Sequence, residues 1–167
     1  MKVMMTNGTV DFLQKLQQKH PEANMLVMEN ANGGLAYYEG NNDDLFEEER
    51  VYETVDQVGE LKPDGYVVMN NIPVTDEGRP IFEDRFKNRK GNIEGMPGFT
   101  ALRILRPLQS STYVVLTQWE DANSFQNWKS SQAFEQAHQN TDAHKRDRPS
   151  FSAGPAYVTQ YNLVKPH

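Results

Sequence analysis

Hydrophobic and polar residues follow short, regular patterns along the whole chain. In the first sixty residues, four segments fit the alternation of strands: residues 1–5, 25–29, 35–39 and 51–58. Thr9 is a suitable cap for a helix that runs to residue 19. Asn32, Gly33 and Gly34 lie between two of the strands and predict a hairpin. The acidic residues 41–49 could form a helical turn.

The second part of the chain repeats this kind of pattern with clearer signals. We predict strands at four segments: residues 66–74, 99–106, 112–119 and 156–164. Thr75 opens a helix that runs to about residue 90, and Asp121 caps a second helix. Ser130 and Ser131 break that second helix, which continues to residue 138. The order is strand, helix, strand, strand, helix, strand, which is the ferredoxin-like βαββαβ unit.

These elements predict an α+β protein with two parts. Residues 63–167 form a ferredoxin-like C-terminal domain, and residues 1–62 form a smaller, degenerate ferredoxin-like N-terminal domain. The two sheets could pack face to face, in which case one chain would imitate a dimer. We therefore expect a monomer that acts as a pseudo-dimer.

The amino-acid composition argues against several classes of function. The 167 residues are 37% hydrophobic and 24% charged, and they contain no apolar run of membrane length and no signal-peptide core, so we expect a cytoplasmic protein with no membrane partner. The lack of cysteine excludes disulfides, thiolate nucleophiles and Cys-ligated metals. The net charge of −6, with no basic run longer than residues 144–146, argues against nucleic acid. A small-molecule ligand is the simpler case.

The segment 125–138 carries the residues best suited to chemistry. Trp128 lies on the apolar side of its first half, and Phe134 and His138 lie on the apolar side of its second half. Two short helices set at an angle could direct Trp128 and His138 into one cavity. Alternatively, Trp128 is a core residue and His138 a half-buried histidine with its bonds satisfied, and spacing alone favours this second interpretation.

Several motifs give residues 64–164 a family resemblance. They resemble the antibiotic biosynthesis monooxygenase superfamily and, within it, the haem-degrading monooxygenases of the IsdG type. The motif residues are Asn70 five positions before Thr75, the Pro97-Gly98-Phe99 turn, and Trp128, Ser131, Phe134, Ala137 and His138 in a W-x-x-S-x-x-F-x-x-A-H pattern. With its N-terminal extension of about 60 residues, the chain is closest to the two-domain HmoB type.

The resemblance implies a fold of the dimeric α/β-barrel type and a haem site. It implies that His138 is the axial iron ligand, that Trp128 presses on the porphyrin and distorts it, and that Asn70 donates a hydrogen bond beside the iron. Haem would be both cofactor and substrate. Its ring would be opened with O2 and electrons from a reductase or a small reductant, and iron would be released.

The resemblance leaves alternatives for the other candidate residues. Arg85 and Arg89 lie one helical turn apart and could bind the two haem propionates, with Phe134 also contacting haem. Equally, both arginines could face solvent and cover phenylalanines with their stems. Without the resemblance, Asn70 could be a strand residue at a bulge or bonded to a turn.

Two other functions fit the same sequence. A cofactor-free monooxygenase of this superfamily would oxidise a phenolic or quinol substrate and would need neither haem nor His138. A haem-binding carrier or sensor would keep the fold and bind haem without turning it over. The combination of Asn70, Trp128 and His138 favours turnover, because a carrier needs no distorting tryptophan.

Overall fold

A computed structural model of the chain describes residues 1–89, 93–130 and 152–165, with the backbone alone at residues 88 and 89. These residues form eight strands, three α-helices and one 3-10 turn at Pro21–Ala23. In chain order the elements are β1 Lys2–Gly8, α1 Val10–Lys19, β2 Leu26–Asn30, β3 Gly33–Glu39, β4 Arg50–Val58, β5 Tyr66–Pro73, α2 Arg79–Arg89, β6 Phe99–Pro107, β7 Thr112–Trp119, α3 Ala122–Lys129 and β8 Tyr157–Leu163.

The eight strands close into one antiparallel barrel. Their order around it is β1-β3-β2-β8-β5-β7-β6-β4, and β4 pairs with β1 to complete the circle. Strands β1 to β4 and strands β5 to β8 have the same internal order, with the fourth strand beside the first, then the third, then the second. The two sets join where β2 pairs with β8 and where β4 pairs with β6. Every one of these eight strands is therefore paired on both sides.

The prediction of a small, degenerate N-terminal half beside a separate C-terminal domain is wrong. The first four strands supply half of a single barrel wall, and the two sheets meet at their edges rather than at their faces. Edge pairing satisfies backbone N–H and C=O groups that two stacked sheets would leave open. The division near residue 62 lies between β4 and β5, and a domain boundary there stays a prediction.

Individual elements form close to the predicted positions. Thr9 caps α1 by accepting a hydrogen bond from the Phe12 amide at 3.2 Å, and Asp121 caps α3 by accepting one from the Ser124 amide at 2.8 Å. Helix α2 begins four residues later than predicted, because the Gly78 amide donates to Thr75 and closes a turn first. Residues 41–49 form no regular helix, and the predicted continuation of α3 to residue 138 lies outside the described residues.

Apolar side chains form a core on both surfaces of the barrel wall. One cluster lies in the interior and includes Met5, Leu35, Met69, Leu105 and Val114. A second lies between the wall and helices α2 and α3, and it includes Phe82, Trp119 and Phe125. A third lies under α1 and includes Leu13, Val27, Leu45 and Phe46. Alternating residues on a strand therefore serve two different cores.

A buried polar network closes one end of the barrel interior. Arg103 on β6 is 4% exposed, and its Nε donates to Glu39 Oε2 on β3 at 2.9 Å. Its Nη1 donates to three backbone carbonyls, those of Val58, Gly59 and Leu102. The Tyr37 hydroxyl also donates to Glu39, at 2.8 Å. This ion pair crosses from the first four strands to the last four inside the barrel.

Candidate functional site

Asn70 lies on the outer surface of the barrel wall. It shares the outer side of β5 with Val68 and Ile72, and its neighbours across the strands are Val115 on β7 and Val158 on β8. Asn70 is half-buried, and Val158 is 52% exposed. The wall around the Asn70 amide is therefore apolar and open to solvent on the β8 side.

Asn71 points into the barrel, as the pleat of a regular strand predicts. Its Nδ2 donates to the carbonyls of Met69 and Tyr157 and to Thr159 Oγ1, each at 3.2 Å. No hydrogen bond joins the Asn70 side chain to another residue in the described parts of the chain. The Asn71 amide thus has a structural role, whereas the Asn70 amide can still donate.

Helix α3 carries Trp128 onto an aromatic cluster on the same side of the wall. The Trp128 ring lies 5.8 Å from the ring of Trp119 and 6.2 Å from that of Phe125. Trp119 is fully buried, whereas Trp128 is half-buried at the edge of the cluster. Part of the Trp128 side chain therefore remains accessible.

Strand β5 links the surroundings of Trp128 to Asn70. Tyr66 pairs with Trp119, and its ring lies 6.4 Å from the Phe125 ring, which marks where α3 crosses the start of β5. Asn70 is four residues further along the same side, or about 13 Å at the rise of an extended strand. The fold thus brings Asn70 and Trp128 to one surface, separated along β5.

Helix α2 is fixed on the wall by a carboxylate between two donors. Glu83 accepts two hydrogen bonds from Arg106, at 2.8 and 2.7 Å, and a third from the Tyr113 hydroxyl. Hydrogen bonds from Arg106 hold the pKa of Glu83 below its usual value. Burial, together with the bond to Glu83, raises the pKa of Tyr113 to about 12. Helix α2 therefore has a defined position over β6 and β7.

The remaining predicted site residues are only partly defined. Arg85 is exposed on α2, and the backbone sets Arg89 one turn further on, with its side chain outside the described residues. His138 and Phe134 also lie outside them. Of the four histidines, the structure describes His20, whose Nδ1 lies 3.4 Å from Glu22 at the end of α1. The described ranges contain no group of three metal-binding His, Asp or Glu side chains.

No helix within the described residues is both long and apolar enough to cross a membrane.

The residues at the open end of the barrel have no role in the site predicted from the sequence. A cavity of about 350 Å³ opens there, at the end opposite Arg103, and its lining includes Arg50, Tyr52, Tyr157 and Tyr161. The alternation of Tyr157, Thr159 and Tyr161 along the last strand does predict that all three share one face. That this face points into the barrel depends on the pairing of β8 with β2 and β5.

Part of the chain matches the model of a known protein family. Residues 65–140 match the family model of the antibiotic biosynthesis monooxygenases. The matched segment begins at β5 and includes Asn70, α2 and Trp128. The predicted relationship to this superfamily is thus supported over the part of the chain that carries the motif residues.

The similar proteins include one named as an enzyme and one named as a signalling protein. A Listeria monocytogenes protein named heme-degrading monooxygenase is 26% identical over 130 residues, which is 78% of each chain. A Staphylococcus aureus protein named signal transduction protein TRAP is 24% identical over 133 residues, or 80% of each chain. A solved structure described as a major regulator of staphylococcal pathogenesis superposes with a TM-score of 0.82 at 20% identity, over 100% of this chain and 99% of the other. This last likeness shows that the fold is shared over the full length.

Proposed function

We propose that this protein is a haem-degrading monooxygenase of the HmoB type. It would bind haem through His138 and open the porphyrin ring with O2 and an external electron donor, releasing iron. The observation that carries the proposal is the Asn70 amide, which has no partner among the described residues and lies on a half-open apolar wall. The Listeria relative named heme-degrading monooxygenase supports the same activity.

The outer wall suits a large, flat and mostly apolar ligand. Val115 and Val158 flank Asn70, and the exposed half of Val158 offers apolar surface that water now covers. Covering such surface with an apolar ligand is favourable. The Asn70 amide adds one hydrogen-bond donor in the middle of this surface. One placed donor in an apolar setting is typical of sites that orient a small polar group.

Each residue would have one role at such a site. Bound haem supplies the iron centre at which O2 is activated, and it is also the molecule consumed. The neutral imidazole of His138 would hold the haem iron. The Asn70 Nδ2–H would orient a polar atom at the wall, and the Trp128 ring would press on the flat face of the ligand. Arg85 and Arg89 would pair with the carboxylates, and Phe134 would add apolar contact.

The proposal is tested by adding haemin to the purified protein and recording the Soret band, then adding reductant in air with catalase present. Catalase removes the free peroxide that bleaches haem without an enzyme. We expect a Soret band that then disappears. His138→Ala should abolish the five-coordinate spectrum, whereas His20→Ala, the matched control at the end of α1, should leave it unchanged. Trp128→Ala should keep binding and slow the decay.

Three results would contradict parts of this proposal. A wild-type protein that gives no Soret band would exclude haem and favour a cofactor-free monooxygenase of a phenolic or quinol substrate. Normal spectra in His138→Ala would remove His138 as the ligand. Full wild-type decay in Trp128→Ala would reduce Trp128 to a packing role.

A haem-binding carrier or sensor is the second candidate. The relationship to a protein named for signal transduction favours it. Its distinguishing result is a Soret band that persists under reductant while the catalase control is in place. In either case we propose a monomer that acts as a pseudo-dimer, because one chain closes the whole barrel and all eight described strands are paired on both sides.

A further inference from the structure

The cavity at the open end of the barrel is separate from the outer wall. Asn71 contributes to its lining, while Asn70, one residue earlier, faces the opposite surface. Buried apolar side chains line its inner part: Met5, Leu35, Met69 and Val114. Polar side chains complete the lining: Asn7, Arg50, Asn71, Ser110, Thr112 and Thr159. With about 350 Å³, it has the size of a small ligand site.

Arg50 gives this cavity a positive charge. Its Nη1 donates to Asn7 Oδ1 at 2.7 Å, and its charge acts to lower the pKa of the nearby Tyr52. Within the described residues, no carboxylate lies within 4.0 Å of its guanidinium. A guanidinium has five N–H donors in a fork that matches a carboxylate. Arg50 therefore has donors left for an anion.

Three tyrosines, Tyr52, Tyr157 and Tyr161, also line this cavity. Tyr52 is 5% exposed, and its burial raises the pKa of its hydroxyl. The nearby charge of Arg50 lowers this pKa, but by less than burial raises it. The phenol therefore stays protonated at neutral pH, and it can donate as well as accept. Tyr157 and Tyr161 lie close enough to Tyr52 to act on its titration. The charged side of the cavity is thus rich in hydrogen-bond donors, whereas the inner part is apolar.

We propose that this cavity binds a small carboxylate with an apolar body. The carboxylate would pair with Arg50, with a phenol as a further donor, and the apolar body would lie against Met5, Met69 and Val114. The volume suits an acid built on a single ring. This site is independent of haem, because its lining belongs to the barrel interior.

Phenylacetate and its neutral analogue phenylacetamide are suitable probes. Each is titrated into the full chain labelled with 13C at the methionine methyls, and the methyl resonances are followed by NMR. We expect saturable shifts at Met5 and Met69, with Met25, which packs under α1, unmoved. Phenylacetamide should bind at least about tenfold more weakly, since hydrogen bonds to a charged group are the stronger ones.

A charge-neutralising variant identifies the recognition group. Arg50→Gln should weaken phenylacetate binding roughly 10- to 100-fold and leave phenylacetamide unchanged. Lys15→Gln removes an exposed charge from α1 and should behave as wild type. Equal affinity for acid and amide in the wild type, no saturable shift at Met5 and Met69, or an unchanged acid affinity in Arg50→Gln would each overturn the proposal. The wild-type comparison decides the question even if the variant fails to fold.

Discussion

Replacing Glu39 by Gln should destabilise the whole barrel, although Glu39 lies in the first four strands. Its carboxylate accepts a hydrogen bond from Arg103 at 2.9 Å, and the two side chains are 24% and 5% exposed. Glutamine keeps the size of the side chain but removes its charge. Arg103 would then be a buried cation held by backbone carbonyls and without a counter-ion.

The expected loss follows from how deeply the pair is buried. Removing one partner of a fully buried ion pair costs about 3–5 kcal/mol. Because Glu39 is 24% exposed and water screens part of the interaction, we expect about 2–4 kcal/mol here. At a urea dependence of about 2 kcal/mol per M for a chain of this size, the midpoint should fall by about 1–2 M.

Tryptophan fluorescence makes the test specific. The chain has two tryptophans, Trp119 and Trp128, on β7 and α3, so their emission reports unfolding of the last four strands. We expect Glu39→Gln to lower the urea midpoint of this signal and of the circular dichroism by the same amount. The control is Asp11→Asn on α1, an 82% exposed residue whose ion pair is worth about 0.5 kcal/mol or less.

The opposite result would refute the reasoning. If the tryptophan transition kept its wild-type midpoint while the circular dichroism showed a separate, earlier step, the two sets of strands would unfold independently. The pair of Glu39 with Arg103 would then not couple them.

Three further predictions follow from the same structure. Arg106 lowers the pKa of Glu83 in the folded state. The Glu83 carboxylate therefore stabilises the fold at pH values above its unfolded-state pKa of 4.5, and this stabilisation is lost as the pH falls through the lowered folded-state pKa. Urea midpoints at pH 7 and pH 3 should thus differ less in Glu83→Gln than in wild type, and an equal difference would contradict this. Asn70→Ala should keep the Soret band and slow its decay by about 100- to 1000-fold. Asn71→Ala should instead cost about 1–3 kcal/mol of stability, because the hydrogen bonds from its amide to three acceptors are lost. Wild-type decay in Asn70→Ala would remove it from the mechanism. Light scattering should give the mass of one chain, and a tight homodimer would contradict the proposed monomer.

The sequence by itself determined the local structure. Thr9 and Asp121 cap helices because a side-chain oxygen can satisfy amides only two or three residues away. The hairpin between β2 and β3 follows from Gly33, whose φ of +130° suits glycine. The pleat of β5 fixes that Asn70 and Asn71 face opposite sides. Each of these features depends on neighbours in the chain, and a single sequence contains those neighbours.

The roles of the candidate site residues stay predictions, and the structure adds only where some of them lie. Asn70 and Trp128 do lie on one side of the wall. His138, Phe134 and the Arg89 side chain lie outside the described residues, so their roles stay predictions. The cavity around Arg50 had no local signal, since its lining comes from strands far apart in the chain.

Only the tertiary structure decided how the two sets of strands meet. Alternation of apolar and polar residues shows which face of a strand is buried, but it does not show which strand is the partner. Here β2 pairs with β8 and β4 with β6, over long separations in sequence. These pairings turn two predicted sheets into one barrel, enclose Arg103 with Glu39, and leave a cavity at the other end. These pairings form only when all eight strands find a partner on both sides, and that depends on the whole chain rather than on any one segment.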